Sequence, residues 1–122
     1  MMLPVPFYGD GSSERDYTYI DDIVGGVRAA VDWTAAPPSA LEIVNLGESR
    51  TTSLDALVAL IARAVGKEAR LERLPPQPGD VRRTCADIRK AGLLLGYRPA
   101  TAVEDGIPRF VRWYGGAHGR PA

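Results

Sequence analysis

Phe7-Tyr8-Gly9-Asp10-Gly11-Ser12-Ser13-Glu14-Arg15-Asp16-Tyr17-Thr18-Tyr19-Ile20-Asp21-Asp22-Ile23 is the stretch on which the reading of this chain turns. Its first residues continue an apolar run from Pro4, which predicts a short edge strand, where proline does least harm to a ladder. Gly9-Asp10-Gly11 predicts a turn, because glycine reaches positive φ without steric cost and aspartate hydrogen-bonds its own backbone. Residues 16–20 alternate as an extended segment does, and the acids Asp21 and Asp22 predict a helix start. A carboxylate there accepts from unpaired backbone N–H groups and suits the positive end of the helix dipole. Arg15 and Tyr17 stand between turn and helix. A planar guanidinium fork can grip a diphosphate, and tyrosine adds a ring with a polar tip. The competing reading of Arg15 is an ordinary surface ion pair with Glu14 or Asp16.

Working outward, residues 22–33 place Ile23, Val24, Val27, Ala30 and Val31 at helical spacing. Gly25-Gly26 inside that helix costs about 1 kcal/mol per glycine against alanine, which makes sense where another backbone or helix packs closely. Ala35-Ala36-Pro37-Pro38-Ser39 predicts a surface loop. Residues 41–46, Leu-Glu-Ile-Val-Asn-Leu, are almost continuously apolar and read as a strand covered on both faces. Thr51-Thr52-Ser53 offers N-caps for a helix whose stripe is Leu54, Leu57, Val58, Ile61 and Val65, with Gly66 to end it. That stripe reads as core rather than as a ligand site.

Residues 70–74 form a weaker strand candidate. Pro75-Pro76-Gln77-Pro78-Gly79-Asp80 can sustain neither helix nor sheet, so it must run on a surface or line a cleft. After an extended piece over 81–86 carrying Arg82 and Arg83, Asp87 is expected to cap a helix ending at Leu95 and Gly96. Thr101 with Glu104 spells a capping box for a last helix, with Val103, Ile107, Phe110, Val111 and Tyr114 on one face and a kink at Pro108. One domain over 1–114 and a frayed tail over 115–122 are expected. Short strands separated by helices predict an α/β, or mixed α+β, fold.

Fifteen basic residues against fifteen acidic ones imply no broad attraction to nucleic acid or to a membrane surface. The longest wholly apolar run, residues 57–62, is too short to span a bilayer, and no signal-peptide pattern opens the chain. A lone Cys85 forms no internal disulfide, in keeping with a reducing cytoplasm. Cys85 reads as a small buried hydrophobe rather than a nucleophile. His118 lies in the tail with no ligand partner, no cluster has metal-ligand spacing, and Ser12-Ser13 lacks the strand-to-helix elbow of a serine nucleophile.

Two familiar constellations are incomplete. A dinucleotide fingerprint needs Gly-x-Gly-x-x-Gly between a strand and a helix. Here Glu14 stands where the third glycine would be, and no helix opens there. None of the five tyrosines has a lysine four residues on.

Gly-Asp-Gly-Ser-x-x-Arg-Asp-Tyr-x-Tyr-Ile-Asp-Asp over 9–22, Asn45-Leu46-Gly47, Gln77-Pro78-Gly79-Asp80-Val81 and Leu95-Gly96-Tyr97-x-Pro99 follow one another in order. This succession resembles the C-terminal, substrate-binding part of NAD-dependent nucleotide-sugar epimerases and dehydratases, and most of all their UDP-glucuronate 4-epimerase branch. They are extended short-chain dehydrogenase/reductases. The resemblance implies that the Rossmann half and the Tyr-x-x-x-Lys pair would lie upstream. It assigns Arg15 to a nucleotide diphosphate, Tyr17 to the aromatic neighbour of the same motif, and Asp80 to a ribose. Many relatives carry arginine three residues before that aspartate, where this chain has Gln77, so the expectation is either that Arg82 or Arg83 supplies the charge or that affinity for a diphosphate is reduced.

The expectation is therefore a UDP-sugar-binding portion with no catalytic residue and no NAD of its own. A stand-alone nucleotide-binding module and a ligand-free structural remnant are the rivals. With the strand over 41–46 lacking its upstream neighbours, a homodimer or higher oligomer is expected.

Overall fold

The computed structural model describes residues 3–35 and 41–118. Among them, four helices surround two small sheets, the mixed α/β class expected from the sequence. Strand β1 (Val5–Tyr8) pairs in parallel with β4 (Leu71–Leu74), from Val5 opposite Leu71 to Tyr8 opposite Leu74. Strand β2 (Glu14–Arg15) pairs antiparallel with β3 (Thr52–Ser53), and a single bridge joins Glu14 to Arg83 on its other side.

These two ladders explain where the proline-broken loop goes. One end is pinned where Gly9 N–H donates to the Leu74 carbonyl, and the other where Glu14 N–H donates to the Arg82 carbonyl. Both anchors lie on the opening stretch of sequence. The loop is thereby drawn over Arg15.

Helix α1 (Ile20–Thr34) begins earlier than the acids suggested, with Tyr19 at its N-cap and no side-chain cap. Asp21 lies in the first turn, where the dipole favours it. Asp22 instead reaches across to accept from Ala100 N–H at 2.9 Å and Thr101 N–H at 3.0 Å. That contact overturns the expected Thr101–Glu104 capping box. Asp22 already holds the Thr101 N–H, Glu104 pairs with Arg50 at 2.9 Å, and helix α4 (Val103–Ala117) starts from an uncapped Ala102. Pro108 lies inside α4, as read from the sequence, and the helix continues past residue 115 to Ala117. Residues 119–122 of the expected tail, and residues 36–39 of the expected loop after α1, lie outside the described residues.

Helix α2 (Leu54–Val65) is as read: Ser53 accepts from Ala56 N–H, and Gly66 closes it in the left-handed conformation. Its stripe rests on α4 but is only half-buried, with Ile61 and Val65 exposed, so it is an open layer rather than a core. Helix α3 (Arg89–Leu95) starts two residues beyond Asp87, whose carboxylate still accepts the Arg89 N–H, and Gly96 ends it.

Residues 41–46 form no strand. They have no ladder partner among the described residues, leaving Leu41 and Ile43 exposed. An apolar run becomes a strand only when another backbone occupies its edge, and none does here. Leu46 does find a seat, against α1 at Gly26. A Cβ on Gly26 would lie 2.7 Å from the Leu46 side chain and 3.1 Å from the Tyr97 ring, the close approach predicted for the glycine pair. Gly25 has nothing near it.

Among the described residues the buried apolar side chains are Phe7 in β1, Ala91 in α3, Tyr97 and Val103. Tyr97 donates its hydroxyl to the Gly47 carbonyl at 2.8 Å, and burial, then the nearby Asp22 carboxylate, push its pKa up. Cys85 is exposed, contrary to expectation, because the 81–86 segment lies on the outside of β2 rather than within a sheet. No helix among the described residues is long and apolar enough to cross a membrane.

Candidate functional site

Arg15 and Asp80 lie 65 residues apart in sequence and meet in space. An Arg15 terminal nitrogen donates to Asp80 Oδ1 at 2.6 Å, while the other donates to the Glu14 carbonyl at 2.8 Å. The surface-pair reading of Arg15 is thus corrected in its partner: Glu14 contributes only its backbone oxygen, and the carboxylate comes from the distant loop. The sheet geometry dictates this. Arg15 is fixed by β2, and the loop that ends at Arg82 must pass over it. The Arg15 side chain is 26% exposed and that of Asp80 55%, so the pair sits at the mouth of a depression and not within the body.

That depression measures about 600 Å³. Strand β1 forms one wall, Leu54 and Val58 of α2 another, and Arg15, Tyr17, Gln77 and Asp80 the rim. Four of the five residues singled out in the sequence therefore face one cleft. The fifth, Arg83, does not. Its guanidinium turns to Glu14 Oε2 at 3.8 Å, on the far side of β2. Arg82 is better placed: with Arg73, Gln77 and Asp80 it lines an adjoining cleft of about 540 Å³ over the Gly9–Ser13 turn. Arg73 is held there above the Phe7 ring at 4.8 Å. The turn itself is tied by Asp10, which accepts from both the N–H and the hydroxyl of Ser12, and these bonds lower the Asp10 pKa.

The rim has unused hydrogen-bonding capacity. A guanidinium carries five N–H donors, and Arg15 spends only some of them on Glu14 and Asp80. Asp80 Oδ2 takes no hydrogen bond from a described residue. One planar cation beside one carboxylate, on the edge of a partly apolar cleft, suits a ligand that is anionic at one point and carries hydroxyls at another. Among the described residues no cluster of His, Cys, Asp and Glu could hold a metal ion.

Sequence reasoning missed the side chains that hold the cleft in shape. Asp16, between Arg15 and Tyr17, accepts from the N–H groups of Glu48 at 2.8 Å, Ser49 at 2.9 Å and Ala86 at 3.1 Å. Gly47 sits so close that a Cβ there would come within 2.9 Å of Asp16 Oδ2. Neither contact leaves a local signal, because the partners lie 31 to 70 residues away. His118 stacks on Tyr114 at 4.2 Å at the end of α4.

No family model matches the chain. A curated relative, UDP-glucuronate 4-epimerase of Thermodesulfobacterium geofontis, is 39% identical over 111 residues, which are 90% of this chain and 33% of the relative. The solved UDP-glucuronic acid 4-epimerase from Bacillus cereus, in complex with UDP-glucuronic acid and NAD, superimposes with a TM-score of 0.77 and 31% identity, covering 91% of this chain and 36% of that one. MoeE5, solved in complex with UDP-glucuronic acid and NAD, gives 0.84 at 27% identity over 93% of this chain and 37% of its own. The chain spans about a third of the length of the curated relatives it matches. In sequence and in fold alike, this chain resembles a C-terminal fragment of the NAD-dependent UDP-glucuronate 4-epimerases, which are extended short-chain dehydrogenase/reductases.

Proposed function

We propose that this chain is a nucleotide-sugar-binding portion of an NAD-dependent epimerase/dehydratase of the UDP-glucuronate 4-epimerase type, and that it does not turn substrate over alone. One observation carries the reading. Arg15 and Asp80, brought together at 2.6 Å across 65 residues, stand with Tyr17 and Gln77 on the rim of one cleft. In this reading Arg15 donates to the diphosphate and the free oxygen of Asp80 accepts from the ribose hydroxyls. Gln77 donates a hydrogen bond without charge, and Arg82, beside it in the adjoining cleft, supplies the second cation. Arg83 has no part in it.

The described residues do not fit NAD. The Gly9-Asp10-Gly11 turn leads into β2 rather than into a helix, and the helix N-terminus that does meet it, that of α2, already spends its Leu54 and Asp55 N–H groups on the Ser13 and Gly11 carbonyls. The open side of Gly11 is filled by the Asp55 carboxylate, which would repel a pyrophosphate.

Calorimetric titration with UDP tests the proposal. Arg15→Ala removes a charge-assisted contact of roughly 1.5–3 kcal/mol, about ten-fold or more in affinity. Unchanged affinity in Arg15→Ala would remove the assignment. A second reading rests on the same ion pair: Arg15 and Asp80 already satisfy each other, so they can act as a latch for the 75–83 loop with no ligand at all. In that case UDP gives no heat and no thermal shift, while Arg15→Ala still lowers the melting temperature.

A further inference from the structure

The cleft over the Gly9–Ser13 turn, of about 540 Å³, has a chemistry of its own. Arg73 and Arg82 line it, and neither Arg15 nor Tyr17 does. The two arginines are placed from different parts of the fold. The β1–β4 register sets Arg73 opposite Phe7, and its guanidinium rests over that buried ring at 4.8 Å. Arg82 comes from the far end of the proline-broken loop, where its carbonyl accepts the Glu14 N–H at 2.9 Å. Neither guanidinium pairs with a carboxylate among the described residues, whereas those of Arg15, Arg50, Arg83 and Arg89 each do. Two cations that can only donate therefore border one space without an ion pair.

Asp10 brings the opposite capacity to the same cleft. Its Oδ1 takes both Ser12 bonds, from the N–H at 2.9 Å and from the hydroxyl at 2.6 Å, and its Oδ2 takes none from a described residue. The Ser12 bonds, with a smaller pull from Arg82, keep this carboxyl ionised at neutral pH. An ionised carboxylate accepts hydrogen bonds and donates none. Asp80, the other acid lining the cleft, is held by Arg15 at 2.6 Å, and Asp55 crowds Gly11 without lining the cleft.

We propose that this cleft binds a phosphate group that still carries a proton, as inorganic phosphate does, with Arg73 and Arg82 donating to its oxygens and Asp10 Oδ2 accepting its O–H. The arginines draw in any small oxyanion. Asp10 then selects among them, because it accepts from a P–O–H and repels a bare oxygen. Sulfate, with a similar shape and no proton at neutral pH, is turned away. Both arginines are exposed and ion pairs in water are individually weak, so the dissociation constant for phosphate is on the order of 1 mM. The site stands apart from the nucleotide reading and shares with it only Arg82 as a cation.

Nuclear magnetic resonance titration of the chain at pH 7 with sodium phosphate, and separately with sodium sulfate at matched ionic strength, tests the assignment. Phosphate should move the Arg73 and Arg82 Nε–H signals and the amides of residues 9–13, saturating at a few millimolar, and sulfate should bind roughly ten-fold more weakly or worse. Arg73→Gln should weaken phosphate about ten-fold or more, while Arg15→Ala leaves phosphate binding unchanged. Asp10→Asn puts a donor where the free carboxylate oxygen stood, so it should admit sulfate as readily as phosphate. Phosphate that fails to saturate by about 50 mM overturns the proposal. So does a parent chain that holds sulfate as tightly as phosphate, a preference that survives Asp10→Asn, or loss of phosphate binding in Arg15→Ala. A chain that binds phosphate in this pattern and gives no heat with UDP upholds this site and removes the nucleotide reading.

Discussion

The Asp16 carboxylate accepts from three backbone N–H groups on two separate loops, so a single side chain joins the opening stretch to residues 48–49 and to residue 86. Ser49, held at a positive φ of 58°, is one of the residues it fastens. Asp16→Ala leaves those donors without their acceptor, and a charge-assisted bond is worth about 1.5–3 kcal/mol, so urea unfolding should show a loss of at least that size. A loss under half a kcal/mol, about the scatter for surface substitutions, would mean water replaces the carboxylate without cost. Glu48, in the same loop, behaves oppositely. Its Oε2 is buried with no partner among the described residues, and desolvation first, then the Asp22, Asp16 and Glu104 carboxylates, raise its pKa above 4.5 against the pull of Arg50. Well below pH 4.5 the group is protonated in both folded and unfolded chains and costs nothing. As pH rises, the unfolded chain ionises first, and stability falls until the folded carboxyl ionises too. Glu48→Gln should raise the melting temperature at pH 7 and lose that advantage below pH 4.5. An advantage that persists at low pH would point to packing rather than charge. Asp87 shows the reverse shift on an open surface, held near 2 by the Arg89 side chain and then by its N–H.

Among the elements, the adjacent glycines of α1 have opposite duties. Gly25 faces open space, so Gly25→Ala should stabilise by roughly 0.5–1 kcal/mol through helix propensity and a less flexible unfolded chain. Gly26→Ala must push Leu46 or Tyr97 aside and should destabilise by about 1–3 kcal/mol. Thermal melts of the two variants should move in opposite directions, and a shared direction would deny the close approach at Leu46. Helix α2 and the glycine stops of α2 and α3 were legible because caps and stops act within a few residues of where they stand. The α4 capping box was misread for the complementary reason. Thr101 and Glu104 had suitable local chemistry, but Asp22 and Arg50 claimed their bonding groups from 79 and 54 residues away.

Over the whole molecule, catalysis and compactness raise one issue: how much of a working epimerase this chain contains. With no Tyr-x-x-x-Lys pair and no seat for NAD among the described residues, the purified chain should leave UDP-glucuronate unconverted in the presence of NAD. Product in a coupled assay, from a preparation free of host epimerase, would show that another set of groups moves the protons. The order of motifs and the helix stops were determined by sequence alone, because each depends on residue type at short range. So was the choice of Arg15, Tyr17, Gln77 and Asp80, through their place in those motifs. Only the tertiary structure decided that Arg15 takes Asp80 as its partner, that Arg83 turns away, and that residues 41–46 stay unpaired. The physical reason is the same in each case. A side chain's chemistry is local, but which partner reaches it depends on where the ladders anchor distant loops, and here Glu14 and Gly9 set that for residues 74–83.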